Sequence, residues 1–310
     1  MDFDEDKYIQ SLIEKWEKEI KPVTQFSDSV KILQIKYTEQ EKKIMDIFRA
    51  VFLSKETSLR VYTLTSVVID MFPTNYLAWV LRRECIDKVK EIDPHQELYW
   101  LDGLMVQNQK NYQIWHHRKL LIDKINDASH EKAMLDEIFK YEPKNFHAWT
   151  HRIWMIRRFN NVEGEFDFIN NMLINDIKNN SVWNYRFFLV QFVNNNKLEK
   201  DIIEKEIKYA IEKIKICPIN ECPYCYIRGY ITKFGYKYSD FNIVKEELEN
   251  IIKENENNSY GLLLLLDYYE EEKNENKFND TIEKLIKIDY IRKKYYSWRK
   301  ENSIFKKNKE

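Results

Sequence analysis

Glycine and proline are scarce in this chain, 5 and 6 among 310 residues. That is too few for the many tight turns of a β-sandwich or barrel. Cysteine is scarce as well, and four thiols in this length fit free cysteines better than a disulfide framework. No charge of one sign dominates: Lys+Arg 50 against Asp+Glu 51 leaves a net charge of -1. A globally electrostatic nucleic-acid or membrane-surface binder is thereby excluded, and any partner must be recognised locally. Long apolar runs are also missing, since the strongest, Leu262 to Leu266, falls far short of a bilayer span. The acidic start "MDFDEDKY" lacks the basic-then-apolar order of a secretory signal, so a cytoplasmic location is expected.

What remains is a composition for helices: 44% hydrophobic and 15% aromatic residues, enough to bury a sizeable core, with abundant Glu, Lys, Leu and Ile. Trp79, Trp115, Trp149 and Trp183 recur at offsets of 36, 34 and 34. Each has an asparagine four positions before it (Asn75, Asn111, Asn145, Asn179) and an arginine three positions after it (Arg82, Arg118, Arg152, Arg186). Asn is a good N-cap, and Trp and Arg at i and i+3 share one helix face. Ahead of the caps lie further amphipathic helices, such as the one carrying Met134, Leu135, Ile138 and Phe139, with Pro73 and Pro143 ending two of them. A period near 34 residues predicts stacked helical hairpins, an all-α, right-handed α-α superhelix.

A decayed fifth copy is expected at "PINECPYCYIRGYI", with Asn220 as cap and Tyr224 in the Trp slot, displaced by an insertion near "NNNKLEK". An earlier hairpin over 38–71 carries Ile44, Ile47, Phe48 and Val51. Closing helices contain "YGLLLLLDYYEEE" and "TIEKLIKIDYIRKKYYSW", separated by solvated spacers such as "KENENN". The domain reading is a partly ordered N-terminal segment over 1–37, one superhelical domain over 38–300 and a tail over 301–310.

Trp and Arg of each copy read as packing residues, and the Asn as caps. The positions that vary beneath the pattern carry more information. Just before the caps stand Thr74, Lys110, Lys144 and Lys178. A lysine beside a helix N-terminus can complete an anion site, because free N–H groups and the macrodipole already favour negative charge there. Just after the caps, Tyr76, Tyr112 and Phe146 would line one rim, with His147 beside them. His116, His117 and His151 do not read as a metal site, since zinc needs three or four converging ligands, and Cys222-x-x-Cys225 lacks a second pair. No glycine-rich phosphate loop, G-x-S-x-G or H-E-x-x-H occurs.

The succession "NYQIWHHRKLLI", "NFHAWTHRIWMI" and "NNSVWNYRFFLV" resembles the alpha subunit shared by protein farnesyltransferase and protein geranylgeranyltransferase type I, over roughly Ile32 to Arg299. The resemblance implies a subunit wrapped around a beta subunit that carries the catalytic zinc and most of the isoprenoid pocket. Magnesium with the diphosphate is a further implied ion. The reaction implied is transfer of an isoprenoid from farnesyl or geranylgeranyl diphosphate to the cysteine of a C-terminal CaaX motif, with chain length set by the beta subunit.

By the same resemblance Lys110 is the catalytic cation facing the diphosphate. Tyr112 and His147, with Asn145 and Phe146 nearby, line the isoprenoid and diphosphate side. Gln113 meets the carboxylate of the substrate tetrapeptide, and Tyr76 contacts that peptide. Phe146 departs from the family's usual Tyr, and the proline-rich N-terminal extension is essentially absent. Two competing readings are the alpha subunit of Rab geranylgeranyltransferase, which shares W-x-x-R but does not need the "NYQ" glutamine, and a tetratricopeptide-like peptide-binding scaffold.

Overall fold

A computed structural model of the chain describes residues 4–25 and 36–307. Parts of the expected N-terminal segment, 1–3 and 26–35, lie outside the described residues, as does the start of the resemblance at Ile32, and so do 308–310 of the tail. Every regular element among the described residues is helical. The chain divides into two compact units, Met1–Phe159 and Asn160–Glu310.

The first unit contains α1 (Glu5–Glu19), α2 (Glu39–Ser54), α3 (Leu59–Met71), α4 (Tyr76–Lys88), α5 (Pro94–Gln107), α6 (Tyr112–Ile125), α7 (Glu131–Tyr141) and α8 (Phe146–Phe159). Within the expected N-terminal segment, α1 is a formed helix that buries Ile13 and Trp16. The predicted hairpin is α2 and α3, started by a Thr38 capping box and burying Ile44, Ile47, Phe48 and Val51. Asn75 and Asn111 cap α4 and α6 through their side-chain oxygens, and Asn145 Oδ1 accepts from the backbone N–H of His147 and Ala148 at 2.9 and 3.1 Å.

The second unit contains α9 (Glu165–Asn175), α10 (Asn180–Val193), α11 (Lys200–Ile216), α12 (Glu221–Lys233), α13 (Asn242–Glu254), α14 (Ser259–Glu271), α15 (Glu275–Ile288), α16 (Lys293–Glu301) and the short α17 (Ile304–Lys307). The longer offset before the fifth copy is absorbed mainly within a helix, since α11 has 17 residues where α7 and α9 have 11. The spacer "KENENN" proves to be more than solvated linker. Its last residue, Asn258, is buried and caps α14, making a sixth cap in the series.

One hydrogen-bond device recurs through both units. The indole N–H of Trp79, Trp115, Trp149 and Trp183 donates to the carbonyl six residues earlier, at Pro73, Gln109, Pro143 and Ile177, over 2.7–3.0 Å. In the fifth copy the Tyr224 hydroxyl reaches the Pro218 carbonyl at 2.8 Å, so phenol replaces indole without loss of the bond. Four of these carbonyls also accept from the side-chain amide of the next cap: Pro73 from Asn111, Gln109 from Asn145, Ile177 from Asn220 and Pro218 from Asn258. Each of these asparagines therefore caps its own helix with oxygen and ties it to the preceding loop with nitrogen.

Candidate functional site

The arginines hold buried acids that the sequence reading did not single out. Arg82 grips Glu97 with two bonds, Nε to Oε1 at 2.6 Å and Nη2 to Oε2 at 2.7 Å, and both side chains are essentially inaccessible. Arg118 likewise binds Glu131, and Arg186 binds Glu206. A residue two places after the Trp slot of the next copy then reaches back twenty positions to the same kind of acid. These contacts are His117 to Glu97, His151 to Glu131, Tyr185 to Glu165 and Tyr226 to Glu206, at 2.8, 2.6, 2.5 and 2.6 Å.

This geometry explains the paired histidines. Burial works to raise the Glu97 pKa, yet the His117 hydrogen bond and the Arg82 charge hold it down at about 2. Glu131 is held at about 2 in the same way by His151 and Arg118. Burial lowers the His117 pKa despite Glu97 beside it, and its Nδ1 is buried without a partner. A neutral ring donating from Nε2 satisfies that arrangement better than an imidazolium, which would bury a second unpaired N–H. Among the described residues no three His, Cys, Asp or Glu side chains gather where they could hold a metal ion.

With His117, His151, Arg82, Arg118 and Arg186 committed to this framework, the exposed functional groups sit at the starts of α4, α6 and α8. Tyr76, Tyr112 and Phe146 are the first residues of these helices and are 60, 69 and 67% exposed. Large aromatic rings this open at three matched positions form an unusual apolar rim. His147 is the common neighbour of two of them. Its ring meets Tyr112 edge-on at 4.4 Å and Phe146 edge-on at 5.6 Å, and lies nearly parallel to Trp115 at 6.2 Å. Burial lowers the His147 pKa, and a hydrogen bond to the Lys110 backbone opposes that shift without reversing it. The imidazole is thus neutral near pH 7.

The Lys110 side chain is 76% exposed and its ammonium lies 2.8 Å from Glu142 Oε1. Glu142 also accepts from Asn145 Nδ2 at 3.1 Å. Lys110 and Glu142 share an open groove with Thr74, Asn108 and Tyr141. Gln113 is half-buried in the first turn of α6, where its backbone N–H binds Asn111 Oδ1 at 2.8 Å. Its side-chain amide has no hydrogen bond among the described residues.

The structure therefore brings Lys110, Tyr112, Asn145, Phe146 and His147 together, with Gln113 on the same first turn, and places Tyr76 at the matching position of α4. Glu142 was missed. Its only sequence signal is an acid three places before a cap, where the other copies have Phe72, Asn108 and Asp176.

The repeat described as "Protein prenyltransferase alpha subunit repeat" matches residues 94–125, 128–159 and 162–193, each match covering one hairpin: α5 with α6, α7 with α8, and α9 with α10. The Dictyostelium discoideum protein farnesyltransferase/geranylgeranyltransferase type-1 subunit alpha is 32% identical over 300 residues, 92% of this chain and 91% of that protein. The subunits of the same name from Candida albicans and Schizosaccharomyces pombe are 31% and 34% identical over 111 residues, and the match spans 36% and 37% of their lengths. A solved structure, Candida albicans protein geranylgeranyltransferase-I complexed with GGPP, aligns with a TM-score of 0.84 and 27% identity, covering 92% of this chain and 97% of that one. The Dictyostelium relative matches almost from end to end, and the chain accordingly belongs to the family of protein farnesyltransferase/geranylgeranyltransferase type-1 alpha subunits.

Proposed function

We propose that this chain is the alpha subunit of a heterodimeric protein prenyltransferase, active with a beta subunit, that transfers an isoprenoid to the cysteine of a C-terminal CaaX motif. The observation that carries this reading is an exposed ammonium, Lys110, at the edge of an open rim where Tyr112 and Phe146 both meet the His147 ring. The chain's own residues offer binding and electrostatics; they include no cluster of ligands for an ion among the described residues.

Zinc, which we assign to the beta subunit, would supply the substrate thiolate, and magnesium would offset charge on the diphosphate. During transfer the sulfur forms a bond to C1 of the isoprenyl diphosphate while the C1–O bond breaks, and its electrons leave with the diphosphate. Negative charge therefore grows on the bridging oxygen as the bond breaks. A cation placed there stabilises the transition state more than the ground state. Lys110 has the reach and freedom for this once it exchanges Glu142 for phosphate, because an exposed ion pair is weakly held. Tyr112 and His147 supply a hydroxyl and an imidazole beside it, and Tyr76 and Phe146 supply flat apolar surface for the isoprenoid or peptide.

The free amide of Gln113 favours a CaaX-type substrate over a Rab-type one, since a terminal carboxylate is the partner such a donor would take. Co-expression with the beta subunit from the same source, followed by assay with labelled farnesyl and geranylgeranyl diphosphates and a CaaX peptide, tests the reading. Transfer by the heterodimer alone is expected. Robust transfer by the single chain, or no complex with the beta subunit, would overturn it.

A further inference from the structure

The end of the second unit carries a surface that neither the repeat nor the proposed function uses. From Tyr290 to Lys300 the sequence holds five cations (Arg292, Lys293, Lys294, Arg299, Lys300), four aromatic residues (Tyr290, Tyr295, Tyr296, Trp298) and no acid, although the whole chain has a net charge of -1. A tight 3-10 turn over Tyr290–Arg292 leads directly into α16. Tyr296 is the inward residue of that helix: it is fully buried, and its hydroxyl donates to Asp289 Oδ2 at 2.6 Å. Arg299 ties α16 to α14 through Asp267 and Glu270, at 2.5 and 3.0 Å, and Lys300 pairs with Glu283 of α15. The helix is therefore fixed on one side and leaves its other side outward.

That outward side mixes apolar and cationic groups. Ile291 is 93% exposed, more than any other large apolar side chain among the described residues, and Tyr290 and Trp298 are 81% and 58% exposed. Ile291, Tyr295 and Trp298 follow one another at i, i+4 and i+7, the spacing of a single helix face. The Tyr295 and Trp298 rings stack 6.3 Å apart with 25° between their planes. Unlike the repeat tryptophans, whose indoles donate to loop carbonyls, Trp298 makes no side-chain hydrogen bond among the described residues, and neither do Tyr290 and Tyr295. Arg292 is engaged by Asp289 at 2.6 Å, but Lys293 and Lys294 are exposed and form no ion pair among the described residues.

We infer that the turn at Tyr290–Arg292 and the outer face of α16 dock the protein on an anionic lipid bilayer. The composition selects that occupant. A protein partner's interface depletes lysine from its apolar centre, whereas here Lys293 and Lys294 stand between Ile291 and Tyr295. Aliphatic and aromatic groups that enter the headgroup layer, flanked by ammoniums that remain among the phosphates, are what a membrane interface accepts. Tyr and Trp rings with unused polar atoms suit the same layer, where one end is apolar and the other wet. No helix among the described residues is long and apolar enough to cross a membrane, so the contact is with the surface. Docking there would hold the enzyme beside the bilayer into which an isoprenylated product partitions.

The test is co-sedimentation of the purified heterodimer with phosphatidylcholine vesicles, with and without about 30% phosphatidylserine, at low and moderate salt. Wild type should bind the anionic vesicles at least tenfold more tightly than the neutral ones, and added salt should weaken that binding. Lys293→Gln/Lys294→Gln should lose about tenfold or more on anionic vesicles, since each lysine near such a surface contributes roughly fivefold. Ile291→Ser/Trp298→Ser should lose at least tenfold on the same vesicles. All four positions are exposed, and circular dichroism checks that each variant keeps its helix content. Transfer to a soluble CaaX peptide without vesicles should stay within twofold of wild type for both variants.

A wild-type heterodimer that ignores anionic vesicles, or variants that bind them within twofold of wild type, would overturn the inference and leave the proposed function untouched. Variants that split the heterodimer, or that break a larger assembly of wild-type complexes, would also overturn it by giving this face to a protein partner. If no heterodimer forms, the proposed function fails, and the same assay on the single chain still decides whether this face binds lipid.

Discussion

Lys110 and Glu142 face each other from successive hairpins, ammonium to carboxylate at 2.8 Å, at the mouth of the proposed site. The lysine lowers the Glu142 pKa, so the acid is charged near neutrality and holds the lysine until a stronger anion arrives. In the heterodimer, Lys110→Ala is expected to lower the transfer rate by at least tenfold while changing isoprenyl diphosphate affinity by less than threefold. Glu142→Gln should do the opposite, tightening diphosphate binding a few-fold by freeing the ammonium. Single-turnover kinetics alongside equilibrium binding separates the two effects. Equal losses in rate and affinity for Lys110→Ala would mean that the lysine binds without favouring the transition state.

Gln113 offers an amide with no internal partner on the first turn of α6, next to the aromatic rim. Gln113→Ala should raise KM for a CaaX peptide roughly tenfold, the scale of one lost hydrogen bond to a charged group. Affinity for the isoprenyl diphosphate should stay within twofold. A matching loss for a peptide amidated at its C terminus would show that the glutamine does not read the carboxylate.

The buried acids predict the chain's response to pH. Glu97 and Glu131 have folded pKa values of about 2, below the ordinary carboxylate value, so each contributes stability that is complete above about pH 4.5 and is lost as pH falls toward 2. His117 acts in the same direction. Its folded pKa is lowered by burial, so unfolding takes up a proton as pH falls below the ordinary histidine value. The heterodimer's melting temperature should therefore decline from about pH 6.5 downward and steeply below 4.5. Glu97→Gln should cost about 3–5 kcal/mol at pH 7, since it strands the buried Arg82, and should flatten the acid limb. A melting temperature unchanged by Glu97→Gln at pH 7 would contradict the pairing.

The hairpin period, the caps and the rim were legible in the sequence because each depends on spacing along one helix, which the order of residues states directly. The acids were not. Glu97, Glu131 and Glu206 lie 15, 13 and 20 positions after their arginines, a variable separation that follows loop and helix length. The twenty-residue step from each acid to His117, His151, Tyr185 or Tyr226 is constant, but it is hidden by the exchange of imidazole for phenol. Asn258 escaped notice for a related reason. Its helix has Leu262 where the other copies have Trp or Tyr, so the cap persists after the signature is gone. Glu142 carries no repeat signal, and its role appears only where two hairpins face each other.

Tyr224 gives the sharpest test of the loop-to-helix ladder. Its hydroxyl donates to the Pro218 carbonyl at 2.8 Å and accepts from Asn258 Nδ2 at 2.7 Å, and burial pushes its pKa up to about 12, so it remains a donor at any physiological pH. Tyr224→Phe removes one oxygen and leaves the shape of the core intact. It should cost about 1–2 kcal/mol in denaturant unfolding, because the Asn258 amide loses one acceptor and the Pro218 carbonyl one donor. Tyr224→Trp should recover part of that loss, since an indole N–H makes the same bond to the carbonyl six residues back in the other four copies. The recovery will be incomplete: indole accepts nothing from Asn258, and its larger ring must fit where it packs beside Tyr260. If Phe proved as stable as Tyr, the repeated carbonyl bond would be incidental to packing, and the slot would be read as requiring only an aromatic ring.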